Sequence, residues 1–204
     1  MTDTSDSPSD SESEELRALL RLAARGDSDA WRAVVAQMAP RVFGLMRAQC
    51  RDPELAEEIT QSTFCTLAAK IGEYVESGRF ESWVFRIAMN RLRDEMRRRA
   101  RQARPMDDGP LQVASAHRVG GTGRGLSEEV VDRLGRAMAR LPEADREIIE
   151  LRHTGGLSFK QLSDYYSEPV GTLLARHHRA LRKLRGLLED MGVTADEIAD
   201  GGAA

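Results

Sequence analysis

No apolar run in this chain approaches the roughly 20 residues needed to cross a bilayer, so the sequence gives no reason to expect a membrane span. Cysteine is almost absent. Cys50 and Cys65 make no CxxC pair and lie within helical patterns, which reads as two buried reduced thiols, with redox sensing as the alternative. Aromatic residues make up 5% of the chain, and no stretch alternates apolar and polar residues as a strand would. The four histidines, His117, His153, His177 and His178, have no metal-ligand spacing, and no catalytic constellation is visible, so neither a metal, a cofactor nor an enzymatic activity is expected. GGTGRG at residues 120–125 has no strand before it and no GK[ST] after it, which excludes a phosphate loop. The N-terminus, MTDTSDSPSDSESEE, lacks both a hydrophobic core and basic residues. It is neither a signal nor a transit peptide, and a cytoplasmic location is expected.

What is present is helix-forming and segregated in charge. Ala, Leu, Arg and Glu are abundant, which favours an all-α fold. The formal charge is only −3, yet residues 1–15 carry six acids and no base, while residues 79–104 carry nine arginines against three acids. Residues 176–185 carry Arg176, Arg179, Arg182, Lys183 and Arg185 with no acid. Two separate cationic tracts in a mildly acidic chain suggest two contacts with nucleic acid.

The organisation follows from these patterns: a disordered acidic tail over residues 1–13, a helical domain over 14–103, a flexible linker over 104–126, a second helical domain over 127–190 and an acidic tail over 191–204. In the first domain, Asp27 or Ser28 is placed to cap a helix with Trp31, Val34, Val35 and Met38 inward, and Pro40 to open a further turn. Asp52, Pro53 and Glu54 make a strong helix start. That helix buries Leu55, Ile59 and Leu67 and shows Glu54, Glu57, Glu58 and Gln61. The next buries Phe80, Trp83, Val84 and Ile87 and carries Ser82, Arg86, Asn90, Arg93 and Arg97 on its polar face.

The second domain ends in a helix-turn-helix. Gly155 and Gly156 close one helix, and Ser158 with Gln161 forms a capping box for a short helix ending at Tyr165 and Tyr166. Ser167 is placed to cap the next helix, with Pro169 in its first turn. Val170, Leu173, His177, Leu181, Leu184 and Leu188 make its buried stripe, and Thr172, Arg176, Arg179 and Lys183 share the opposite face. Such a face suits a DNA major groove, and a solvated basic helix in a bundle is the plain alternative.

Three separated segments also carry a family likeness. FESWVFRIAMNRLRDEMRRR, Phe80–Arg99, resembles the F-x-x-W-L-x-R-I-A-x-N-x-x-x-D-x-x-R-R segment of bacterial extracytoplasmic-function sigma factors. EITQSTF, Glu58–Phe64, is similar to their D-L-V-Q-E-x-F segment, and residues 141–185 resemble their closing domain. The resemblance implies a non-enzymatic subunit that binds core RNA polymerase and directs it to promoter DNA. Glu54, Glu57, Glu58 and Gln61 would then dock on the clamp helices of the beta-prime subunit. The loop over Tyr74–Phe80, with Arg79, Ser82, Arg86, Asn90, Arg93 and Arg97, would open and read the minus-10 element. Thr172, Arg176, Arg179 and Lys183 would read the minus-35 duplex, and an anti-sigma factor or other regulator would be a further partner. The chain departs from the family pattern at Ser62, at Ser167 in place of the turn glycine, at Glu168 in place of an apolar residue, and at Leu174 and Ala175 in place of lysine and serine. A helix-turn-helix regulator that does not serve as a sigma subunit and a protein-binding decoy are the other readings. A plain regulator has no need for the EITQ surface joined to FESWVFRIAMN, and partner binding retained without template-directed transcription would mark the decoy.

Overall fold

The computed structural model describes residues 8–75, 77–102 and 128–193, and among them every regular element is helical. The first half contains α1 (Pro8–Ala23), α2 (Ser28–Cys50), α3 (Pro53–Lys70), a single 3-10 turn (Ile71–Glu73) and α4 (Phe80–Gln102). The second contains α5 (Glu128–Arg140), α6 (Glu143–His153), α7 (Phe159–Tyr166) and α8 (Val170–Asp190). The expected linker over 104–126 lies outside the described residues, as do residues 1–7 and 194–204 of the expected tails. α1 starts at Pro8, inside the stretch expected to be a disordered tail. Proline fits a first helical turn, where no backbone N–H is needed.

The caps explain most boundaries. Asp27 Oδ1 accepts from the backbone N–H groups of Asp29 and Ala30, both at 2.9 Å, and starts α2. Asp52 Oδ1 accepts from Leu55 N at 3.1 Å and starts α3, with Pro53 at its first position. Those N–H bonds, and then Arg99, hold the Asp52 carboxyl below its ordinary range. Pro40 does not open a new turn as expected but sits inside the 23-residue α2. The hydrogen bond it forfeits is outweighed by Met38, Val42, Leu45 and Met46 around it, none of which has any exposed surface.

α2 packs between α1 and α3, and α3 carries α4; in the second half, α8 touches α5, α6 and α7. The buried stripe of α8 is as expected at Leu173, His177, Leu184 and Leu188. Val170, expected inside, is 39% exposed because the helix begins there at the domain's edge. Ser158 and Gln161 make the complete capping box of α7. Ser167 takes the left-handed conformation at φ 57°, so it ends α7 rather than capping α8, whose own N-cap, Pro169, makes no side-chain cap bond. The chain also stays ordered past Asp190: Val193 N donates to Leu188 O at 3.0 Å and its side chain is buried, which shortens the expected tail.

The two halves share a seam. α7 lies on α4 and α6 lies on α2. Arg41 of α2 donates Nε and Nη2 to Gly155 O at 3.0 and 2.8 Å, and Nη1 to Glu81. The site requires glycine at the end of α6. A Cβ on Gly155 would stand 2.7 Å from Leu151 O, and Gly156 has φ 71° with Arg41 only 3.3 Å from where a Cβ would be.

Candidate nucleic-acid and polymerase interfaces

The face of α4 assigned to DNA is largely occupied by the second half of the chain. Ser82 is not on an exposed polar stripe: it is 2% exposed, and its hydroxyl donates to Gln161 O at 2.8 Å. Arg86 donates Nη2 to the carbonyls of Asp164 and Tyr165 in the last turn of α7, where a cation is favoured by the helix dipole. Arg79 Nε pairs with Asp164 Oδ1 at 3.1 Å. Arg93 Nη2 pairs with Glu147 Oε2 at 2.6 Å. Asn90 and Arg97 remain outside the seam and exposed, Asn90 accepting from Arg93 and Arg97 paired with Asp94 at 3.8 Å.

Glu147 is the centre of this arrangement, and the sequence reading missed it. It is 6% exposed, and its Oε1 accepts from the hydroxyls of Tyr165 at 3.1 Å and Tyr166 at 3.3 Å while Oε2 takes Arg93. Burial opposes the Arg93 charge, but the bond and attraction to Glu147 prevail and its pKa is raised. Burial, and next the charge of Glu147, raise both tyrosine hydroxyls well above their ordinary range. The available signal was the run Glu147–Leu151, in which two acids flank a pair of isoleucines. Every residue of that run is buried.

Ahead of α4, Tyr74 stacks on Trp83 with ring centroids 5.1 Å apart and 3° between planes, and Phe80 meets both rings edge-on. These rings fix the base of the 74–80 loop. Val75 at its tip is 82% exposed, while Arg79 next to α4 is tied to Asp164.

On α8, Thr172, Arg179 and Lys183 are exposed and Arg176 is half-buried, all on the side away from the Leu173 and Leu184 stripe. Arg176 Nη2 pairs with Glu168 at 2.9 and 2.7 Å, and its guanidinium carbon lies 5.5 Å from the centre of the Tyr166 ring. Lys183 pairs with Asp145 at 2.5 Å. Leu174 is half-buried and Ala175 exposed. His177 is structural, as its place on the core stripe suggested. Its Nε2 lies 3.1 Å from His153 Nε2, so one ring donates and the other accepts. Burial, and then for His177 the neighbouring His153, lowers both pKa values, which keeps the pair uncharged at neutral pH.

The acidic face of α3 is open. Glu54, Glu57, Glu58 and Gln61 are all exposed, with Leu55, Ile59 and Leu67 buried behind them. Alongside runs an open groove of about 830 Å³ lined by Trp31, Val35, Phe43, Glu57, Gln61 and Phe64. Trp31, expected inward, is half-buried at this edge. Cys65, expected to be buried, is exposed here, whereas Cys50 is half-buried with its thiol pushed up by burial. No helix among the described residues is long and apolar enough to cross a membrane.

Two family models match the halves separately: sigma-70 region 2 over residues 34–102 and sigma-70 region 4 over residues 137–186. The chain is 30% identical over 178 residues to the ECF RNA polymerase sigma factor SigK of Mycolicibacterium vanbaalenii, covering 85% of this chain and 89% of that protein. It is 32% identical over 165 residues to the ECF RNA polymerase sigma factor RpoE of Cereibacter sphaeroides, covering 78% and 86%. Among solved structures, CnrH in complex with the cytosolic domain of CnrY matches with a TM-score of 0.64 at 22% identity, over 86% of this chain and 98% of that one. RpoE of Bartonella quintana, solved with the anti-sigma factor NepR, matches with a TM-score of 0.58 at 20% identity, over 78% and 96%. The fold is therefore shared with both. With region 2 and region 4 in order, an open acidic face on α3 and a helix-turn-helix at α7–α8, this chain belongs to the extracytoplasmic-function sigma factors of bacterial RNA polymerase.

Proposed function

We propose that α3 docks this sigma factor on the clamp helices of core RNA polymerase through Glu54, Glu57, Glu58 and Gln61, that α4 and the 74–80 loop read the minus-10 element, and that α8 reads the minus-35 duplex. The observation that carries this reading is the separation of two kinds of surface. The acidic α3 face stands open, while Arg79 just before α4 and Ser82, Arg86 and Arg93 of α4 are engaged by α6 and α7. Docking can therefore precede DNA capture, and minus-10 reading requires the halves to part. Once released, the arginines hold a single strand by its phosphates while a base leaves the stack for the loop. The protein works in the cytoplasm as a regulatory subunit with no chemistry of its own. Because both structural neighbours were solved with bound partners, one of them named as an anti-sigma factor, a partner of that kind is proposed here too.

Glu58→Lys tests the docking face. Reversing this exposed charge is expected to weaken binding to core polymerase by about tenfold or more while leaving helicity unchanged. Unaltered affinity, measured by titration of labelled protein with core enzyme, removes α3 from the interface.

The α8 assignment makes its own forecast. Arg176 lies in the N-terminal part of the helix and can offer a planar fork, which suits a base, whereas Lys183 two turns on is a point charge suited to backbone. Arg176→Ala is expected to cost roughly 1–3 kcal/mol and relax preference at one base pair. Lys183→Ala should weaken all duplexes alike and reduce the salt slope by about one unit. Equal loss on specific and scrambled duplexes for Arg176→Ala ends its role as a reader.

A further inference from the structure

We infer that Glu168 determines how strongly and how selectively α8 engages the minus-35 duplex, by holding Arg176 back from DNA. Three observations place the acid there. Ser167 turns left-handed at the end of α7 and redirects the chain. Ser163 Oγ then donates to Glu168 O at 2.6 Å, which fixes the backbone of the turn. The Glu168 carboxylate, 32% exposed, takes Arg176 Nη2 with both oxygens, at 2.9 and 2.7 Å, while the guanidinium lies against Tyr166.

The choice of nitrogen matters. A guanidinium has two bidentate edges, Nε with Nη2 and Nη1 with Nη2, so Nη2 belongs to both. Nη2 carries one N–H on each edge, and with both Glu168 oxygens at that nitrogen a guanine taking either fork would bring its O6 or N7 acceptor against the carboxylate. Any duplex that uses the fork must first break a charge-assisted pair. A phosphate that needs only one donor can be served by Nη1 without breaking it. Glu168 therefore penalises the specific contact more than the non-specific one. Arg179 has no ion pair among the described residues and Lys183 is held from α6, so this control acts on Arg176 alone. Glu168 stands where the family's pattern has an apolar residue, which cannot hold an arginine in this way. The minus-35 helix of this chain is thereby kept weak on its own and dependent on being delivered by polymerase.

Glu168 acts in this way only if Arg176 faces the groove, as proposed above, and the test separates the two ideas. A duplex is selected from a randomised pool on the full-length chain, and its affinity and that of a scrambled duplex are measured by fluorescence anisotropy across a salt series. Wild type, Glu168→Gln, Glu168→Leu, Arg176→Ala and the double variant Glu168→Gln/Arg176→Ala are compared, with helicity and melting temperature checked for each. Both Glu168 variants are expected to bind the selected duplex about tenfold more tightly, with a smaller gain on the scrambled one. In the Arg176→Ala background the gain from Glu168→Gln should fall below about threefold and be equal on both duplexes, as expected for a distant charge alone. An undiminished gain in that background, or no gain at all, overturns the inference. If Arg176→Ala alters no base preference in either Glu168 background, the groove assignment fails instead, whatever the affinities do.

Discussion

Glu147→Ala is expected to lower the stability of the folded chain by roughly 2–3 kcal/mol. The carboxylate is buried and accepts from Arg93, Tyr165 and Tyr166 at once, so its removal takes this acceptor from one buried hydroxyl, one half-buried hydroxyl and one guanidinium. The loss stays below that of a fully buried ion pair because 36% of the Arg93 side chain is in contact with water and can be solvated there. Since the donors come from α4 and α7, the damage falls on the contact between the halves as well as on the second domain. Urea denaturation of the full chain measures it. A loss below about 0.5 kcal/mol would show that the carboxylate is not holding the seam together.

The second large effect is a dependence on pH that Glu150 writes into the same seam. This residue of α6 faces Gln49 of α2 and is 5% exposed, and neither Glu150 Oε2 nor Gln49 Nε2 has a hydrogen-bond partner among the described residues. Burial pushes its carboxyl up to about 7 from an ordinary 4.5, against the opposing pull of Arg146 and Arg51. The sign follows from linkage. Between those two values the folded chain keeps a proton that the unfolded chain has released, so stability falls as pH rises through that window. The cost is complete above about pH 7, where it amounts to about 3 kcal/mol. Glu150→Gln should remove it, giving a variant that gains most over wild type at pH 8 and little at pH 5. His153 and His177 act oppositely, since their lowered values make acid destabilising, but they cancel in the difference between the two proteins. A difference that does not change between pH 5 and pH 8 would mean that Glu150 is solvated when charged.

Both predictions concern residues that the sequence disguises. The helices were legible because their signals are local: Asp27, Asp52 and the Ser158–Gln161 box act within one turn, and the α8 stripe repeats every three or four residues. The acidic face of α3 was legible for the same reason, since Glu54, Glu57, Glu58 and Gln61 recur at three- and four-residue steps on one face while Leu55 and Ile59, four apart, mark another. The seam was not. Ser82 looks like a surface residue by helical spacing, and only an acceptor 79 residues away, Gln161 O, makes its burial tolerable. Glu147 and Glu150 look like the polar side of α6 until α2, α4 and α7 close over them. Pro40 reads as a helix boundary because the sequence shows its missing N–H, while the packing of Met38, Val42 and Leu45 that offsets it is long-range. Glu168 could be seen as a departure from the family pattern, but its partner Arg176 lies eight residues on, two turns into α8.

The separation of α4 from α7 during promoter engagement is the most direct test of this account. Paired spin labels at Ala100→Cys on α4 and Lys160→Cys on α7, with Cys50 and Cys65 replaced by alanine, report it by pulsed dipolar spectroscopy. In the free protein the distance should be a single value matching the packed halves, and with core polymerase and promoter DNA it should lengthen to a new one as run-off transcription becomes possible. A distance that stays at the packed value in a complex that makes transcript would contradict the account, because Arg79, Ser82, Arg86 and Arg93 would then still be held by α6 and α7.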